Sequence, residues 1–284
     1  MPQSIFSISA AEKENKIAKV AHLIPKWYAE GSIVNEPAIV SKISKLLKPN
    51  QWLRLEDSRY GSYDYSKPIT YEKQSKGFMK PTGIWASKGE WSFHGDRPLT
   101  LLEVDYSRIL VITTKEDYLE FEDKYCKKLL RSRWTEKDWE RQRRTRKSRR
   151  WEGGARNSKT IKNKKLVCTM NVNWDAVAND YDGIAFVPYG KPYFDRKEML
   201  EYKNHIWVSS YDVSSLVIWR HNGTMPITRA ISLGNTSNLY KPGNSELDNR
   251  QVIKVVKEGI KELEKITQQD KIKGQDKIKE HDKM

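Results

Sequence analysis

The stretch Leu101-Leu-Glu-Val-Asp-Tyr-Ser-Arg-Ile-Leu-Val-Ile112 carries the strongest fold signal in the chain. Ile109 to Ile112 is an unbroken apolar run of strand length, the pattern of a strand covered on both faces. Leu99 to Val104 reads as another strand, and Asp105–Tyr106–Ser107 as the turn that joins them. The expectation is an antiparallel pair, Leu99–Val104 against Arg108–Thr113. An amphipathic helix should follow from Lys115 to Leu130, with Tyr118, Leu119, Phe121, Tyr125 and Leu129 turned inward.

Working outward from this centre, Gln51–Leu55 and Thr82–Ser87 read as strands. Two helices precede them. Glu12–Tyr28 has helical spacing but meets Pro25, which should break it near Leu23. Glu36–Leu47 has Asn35 as a cap and Pro37 in its first turn, and Pro49 stops it. On the other side, Asn173 should cap a short helix to Asn179. Gly183–Val187, His205–Ser209 and Ser215–Trp219 read as strands. Leu247–Ile266 is the clearest helix, with Val252, Val255, Val256, Ile260, Leu263 and Ile266 on one face. The tail repeats Asp-Lys-Ile-Lys at Asp270 and Asp276, too polar to pack, and reads as solvated helix or disorder. The sum is an α+β chain: N-terminal helices over 1–50, a core over 51–220 interrupted by a basic insertion at 131–165, a loop and helix over 221–268, and a polar tail over 269–284.

Composition narrows the class. Only 37% of the 284 residues are hydrophobic, yet there are 10 Trp and 14 Tyr. Aromatics bury much area per residue, so they sustain a core that the aliphatic content alone would not. The two cysteines, Cys126 and Cys168, suit reduced, largely buried thiols rather than a disulfide framework. No CxxC pair or His cluster spells a zinc site. Met1 to Ala10 lacks the basic start and apolar run of a secretory signal, and no run approaches the length of a membrane span. The expectation is an intracellular protein, in cytoplasm, nucleus or a virion, with no membrane partner.

The net charge of +15 is not spread evenly. Between Lys127 and Lys165 there are 17 Lys/Arg and 4 Asp/Glu, a local net of +13. A chain that grips a polyanion clusters its cations in this way. The densest part holds Arg141, Arg143, Arg144, Arg146, Lys147, Arg149 and Arg150, followed by Trp151, with Trp134 and Trp139 upstream. Guanidinium forks match phosphate oxygens, and indoles stack on unpaired bases. Nucleic acid, DNA or RNA, or a ribonucleoprotein is the expected partner. A nuclear-localisation signal and a charged loop with no specific partner are the competing readings. Nothing in the segment reads base sequence.

Three stretches have the look of site elements: Lys80-Pro-Thr-Gly-Ile-Trp-Ala-Ser-Lys-Gly-Glu-Trp91, Tyr181-Asp-Gly-Ile-Ala-Phe186, and Ser210-Tyr-Asp-Val-Ser-Ser-Leu-Val-Ile-Trp219. With the 101–112 stretch between the first two, their order resembles the ADP-ribosyltransferase-like fold of phage, giant-virus and toxin proteins, over roughly Trp52 to Trp219. That resemblance implies mixed or antiparallel sheets and cleavage of the nicotinamide–ribose bond of NAD. It implies that Arg54 grips the cofactor, Ser87 orients the ribose, and Trp85 or Trp91 walls the nicotinamide. The family's last strand carries a glutamate that stabilises developing positive charge. Here Ser214 and Ser215 stand in its place, and a serine supplies no negative charge. Two functions follow as expectations: a nucleic-acid-associated binding or structural protein on a degenerate scaffold, or an active NAD-dependent transferase brought to nucleic acid by its insertion. Each residue also has a plainer reading, with Trp85 in the core, Ser87 a strand-end hydroxyl, Arg54 facing solvent and Asp182–Gly183 a turn leading into a strand.

Overall fold

A computed structural model describes residues 4–24, 37–56, 64–65, 81, 83–89, 97–132, 166–187, 214–219, 226–239 and 248–281. The described elements are α1 (Ala10–Val20), α2 (Pro37–Leu46), β1 (Gln51–Leu55), β2 (Ile84–Ser87), β3 (Pro98–Val104), β4 (Ile109–Ile112), α3 (Lys115–Tyr125), β5 (Cys126–Ser132), β6 (Leu166–Val172), α4 (Trp174–Asp180), β7 (Gly183–Phe186), β8 (Ser215–Ile218), β9 (Ile227–Asn235) and α5 (Asn249–His281). Seven strands form one mixed sheet in the order β4-β7-β8-β2-β1-β3-β9, and β5 and β6 form a separate two-stranded ribbon. The chain is α+β.

The expected β3–β4 hairpin does not form. Both edges of β3 are occupied, by β1 (Leu53 opposite Leu101) and by β9 (Leu101 opposite Ile231). β4 pairs instead with β7, in parallel, Ile109 beside Gly183. Five steps of backbone from Val104 to Ile109 span at most about 18 Å. Five strand spacings across a flat sheet would be about 24 Å. The sheet therefore curls, so that its β3 and β4 regions share one cluster, with Leu102, Val104, Ile109 and Val111 together. As expected for its apolar run, β4 is buried on both faces.

Strand alternation sorts the core into two faces. One face carries Leu110, Ile112, Ile184, Phe186, Val217 and Trp219, covered by Phe121 and Tyr125 of α3 and Trp174 of α4. The rings meet edge-on or tilted, as at Trp174–Trp219, 6.0 Å apart. The same face continues through Leu53, Leu101 and Leu233, under α2 and α5. The opposite face carries Trp52, Ile84, Ala86, Leu102, Val111, Leu216 and Ile218, covered by Ile17 of α1 and by Ile24.

Local chemistry explains most boundaries. Ser9 and Glu12 form a reciprocal capping box on α1, which passes into a 3₁₀ turn at Ala21–Leu23. Thr114 and Asp117 do the same for α3. Asn173 caps α4, accepting from the Ala176 N–H at 3.3 Å. α3 is shorter than expected. It stops at Tyr125, and Cys126 is already extended. Leu129 consequently lies in β5 rather than on a helix, and Leu119 is 40% exposed rather than inward. The region after Trp219, expected to be loop, contains the nine-residue β9. The tail is helical through His281. His205–Ser209, Pro25–Tyr28 and Asn35 lie outside the described residues.

Candidate functional site

Leu53 of β1 pairs directly with Ser87 of β2, and Ser87 pairs with Ser215 of β8. Cross-strand partners share a face, so Ser87 and Ser215 sit side by side in mid-sheet. Trp85, two residues before Ser87, shares that face and is half-buried against the aromatic cluster. Ser87 and Ser215 are buried, and the Ser87 hydroxyl accepts from the Gly89 N–H at 3.2 Å. Ser214, also buried, precedes β8. The Ser87 and Ser215 hydroxyls and one of the two expected indoles thus share a face, whereas Ser214, one residue out of step with Ser215, is not paired with Ser87.

Arg54 does not join them. It follows Leu53, so it projects from the other face. There its Nε donates to Glu56 Oε2 at 2.9 Å, and the Tyr65 hydroxyl donates to the other Glu56 oxygen. Glu56 is 1% exposed and the Arg54 side chain 15%, which corrects the solvent-facing reading. Burial drives the Tyr65 phenol well above its ordinary range, with the Glu56 hydrogen bond adding to it. The Arg54–Glu56 pairing had a sequence signal: residues two apart on a strand share a face. Tyr65 had none, because it comes from a loop.

Two buried ammonium groups lie on the same side as Arg54. Lys88 Nζ donates to the carbonyls of Lys48, Pro49 and Gln51 at 3.2, 2.6 and 2.5 Å, and stands 4.2 Å from the Trp52 ring centroid. Lys13 Nζ donates to the carbonyls of Tyr106 and Ser107 at 2.9 and 3.3 Å, and burial lowers its pKa. Both are structural ties.

Asp182 is a bend that leads directly into β7 at Gly183. A Cβ on Gly183 would stand 2.5 Å from the Val217 carbonyl oxygen, so only glycine lets β7 approach β8. Asp182 binds Arg108 Nε at 2.8 Å. Glu103, a carboxylate near the sheet, is held by Arg229 at 2.8 Å. Cys126 is half-buried and not in a disulfide, and burial pushes its thiol up, the opposite of an activated nucleophile.

The arginine-rich residues Arg141, Arg143, Arg144, Arg146, Lys147, Arg149, Arg150 and Trp151 lie outside the described residues, as does Trp91. What flanks the basic segment is described. β5 and β6 pair antiparallel from Cys126–Val172 at the base to Ser132–Leu166 at the far end. At the base, the Asn173 N–H donates to the Tyr125 carbonyl at 2.8 Å, closing the two exits of the ribbon. The chain thus leaves and re-enters this segment at directly opposed residues.

Among the described residues, no group of His, Cys, Asp and Glu is placed to hold a metal ion, and no helix is long and apolar enough to cross a membrane. No protein-family model, no curated protein and no solved structure matches the chain.

Proposed function

We propose that this chain is a nucleic-acid-associated binding or structural protein, whose main contact is the basic segment between β5 and β6. The observation that carries the reading is the local net of +13 between Lys127 and Lys165, a span that begins within β5 and ends immediately before β6, the two strands of the ribbon. Charge on that scale in so short a segment attracts phosphate regardless of base sequence. The partner is DNA, RNA or a ribonucleoprotein, met in the cytoplasm, the nucleus or a virion. The scaffold is a degenerate ADP-ribosyltransferase-like one, supported by the order of its motifs and by Trp85 and Ser87 on one face of β2. The alternative, an active NAD-dependent ADP-ribosyltransferase, needs Arg54, Ser87 and a carboxylate in one cleft. Arg54 faces away from Ser87, already bound to Glu56, and serines occupy 214 and 215. Binding is therefore the better reading.

Fluorescence anisotropy of a labelled duplex against salt tests it. If all seven cations between Arg141 and Arg150 meet phosphates, log K falls against log[salt] with a slope steeper than about −6. Deleting 141–150 flattens that slope and weakens binding to unrelated sequences alike. Binding unaffected by salt, or by the deletion, overturns the proposal.

A further inference from the structure

A second cationic surface lies on α5, far in sequence from the ribbon. Val252, Val256 and Leu263 bury one side of this helix against the sheet. Arg250, Lys254, Lys257 and Lys261 recur at spacings of four, three and four, which places them in one row on the opposite side. All four are exposed. An open hollow of about 400 Å³ is lined by this row together with Ile253 and Glu258.

An ordinary solvated helix face alternates its charges so that each cation has an acid one turn away. This row is dominated by like charge, although Glu258 lies one turn from Lys254 and from Lys261. Arg250–Lys254, Lys254–Lys257 and Lys257–Lys261 are like-charge neighbours, each of which disfavours the helix. Three acids of α5 are engaged elsewhere, Glu264 with Lys48, Glu262 with Lys265 and Asp270 with Arg229, which leaves Glu258 as the one acid set among the row. Among the described residues, none of the four cations in the row forms an ion pair. α2, which packs beside α5, adds the exposed Lys42 and Lys45 and has no acidic residue.

We infer that the outer row of α5 is a second binding site for the phosphate backbone of nucleic acid. The inference rests on the polyanion reading above and extends it to a surface outside the arginine-rich segment. Arg250 to Lys261 covers about 16 Å of helix, which matches about five phosphates of one strand at about 3.4 Å per nucleotide. An anionic membrane is the other polyanion such a row could meet. A membrane-surface helix, however, buries its apolar side in the lipid, and here that side is already buried against the sheet.

The test uses the full chain, a fluorescein-labelled 20-base-pair duplex, and the triple variant Lys254→Gln/Lys257→Gln/Lys261→Gln. The variant should lose roughly tenfold in affinity at low salt, and its salt slope should be shallower by about 2 to 3. Its thermal midpoint should not fall, since the change relieves like-charge contacts. Glu258→Gln should strengthen binding. Lys19→Gln, on α1 over the other face of the sheet, should leave the slope alone and so separates a site from a change in net charge. Failure of the wild-type chain to bind duplex at all sinks the arginine-rich reading and this one with it. Wild-type binding that the triple variant reproduces, in both affinity and slope, overturns this inference alone. Loss of binding to phosphatidylserine vesicles with duplex binding intact also overturns it, in favour of a membrane.

Discussion

The two faces of the curled sheet are built from different materials. Under α3 and α4 the face is an aromatic mosaic, with Phe121, Phe186, Trp174 and Trp219 in mutual ring contact. Under α1 the apolar cluster is threaded with buried charges and phenols: Lys13, Glu56 and Lys88 are each less than 5% exposed, and Tyr106 is fully buried. There the Trp52 indole donates to the Tyr106 hydroxyl at 2.7 Å, which donates on to the Pro49 carbonyl at 2.8 Å. One face is held by packing, which tolerates changes that keep volume. The other is held by polar ties, which tolerate loss of both partners better than loss of one. The difference also places the candidate site, because Ser87 and Trp85 belong to the packed face and Arg54 to the tied one.

Breaking one partner of the buried ion pair gives the largest effect. Glu56→Ala removes the buried carboxylate that accepts from both the Arg54 guanidinium and the Tyr65 hydroxyl, and urea unfolding should report a loss of about 3–5 kcal/mol. Adding Arg54→Met should restore a good part of it. On the aromatic face, Phe121→Ala should cost a similar amount, about 3–5 kcal/mol, through the cavity it leaves. No second deletion restores that. If the Glu56 loss persists in the double variant, the two faces do not differ in the way described.

A smaller effect sharpens the contrast. Lys88→Met keeps much of the side-chain volume but withdraws a donor from three carbonyls at the start of β1. Stability should fall by about 2 kcal/mol. Amide exchange at Gln51 to Leu53 should accelerate more than at Ile109 to Ile112. Equal acceleration of both strands would mean the tie is not local.

How much of this was legible in sequence depended on how local its cause was. β1 matches its expected bounds because five residues beside a proline stop decide it. The α4 cap was readable because Asn173 acts on the next turn. The β3 partner was not, because the choice of β1 and β9 over β4 is settled by edges 50 and 130 residues away in the chain. α3 carries helical spacing straight into Cys126–Ser132 with no Gly or Pro to stop it, and the pairing with Leu166–Val172 overrides that spacing. β9 hides because, as an edge strand, it is only half apolar, yet Arg229, Ile231 and Leu233 alternate as a strand should. For the candidate site, Ser87 and Trp85 were legible as one face of a strand, but the serine opposite Ser87 is Ser215 rather than the expected Ser214. Arg54 was misplaced because being one residue out of step with Leu53 sends a side chain to the other face.

The smallest expected effect is on pH. Burial drives Tyr106 and Tyr65, both on the tied face, well above the ordinary phenol range. In the unfolded chain they ionise near the usual 10.0, while in the folded chain they keep their protons. Above pH 10 the unfolded state therefore binds fewer protons, and stability falls as pH rises. Lys13 acts in the opposite sense. Burial lowers its folded pKa below the usual 10.5, so the unfolded state holds the extra proton and stability rises with pH up to that point. On the tied face alone, two phenols against one ammonium leave a net fall, on the order of 1 kcal/mol over the first pH unit above 10. Urea midpoints at pH 9, 10 and 11 measure it, and Tyr106→Phe should flatten the decline even as it lowers stability at every pH. A decline that Tyr106→Phe and Tyr65→Phe together leave untouched would trace the alkaline weakness to the other face, where burial and Asp180 raise Tyr125 as well.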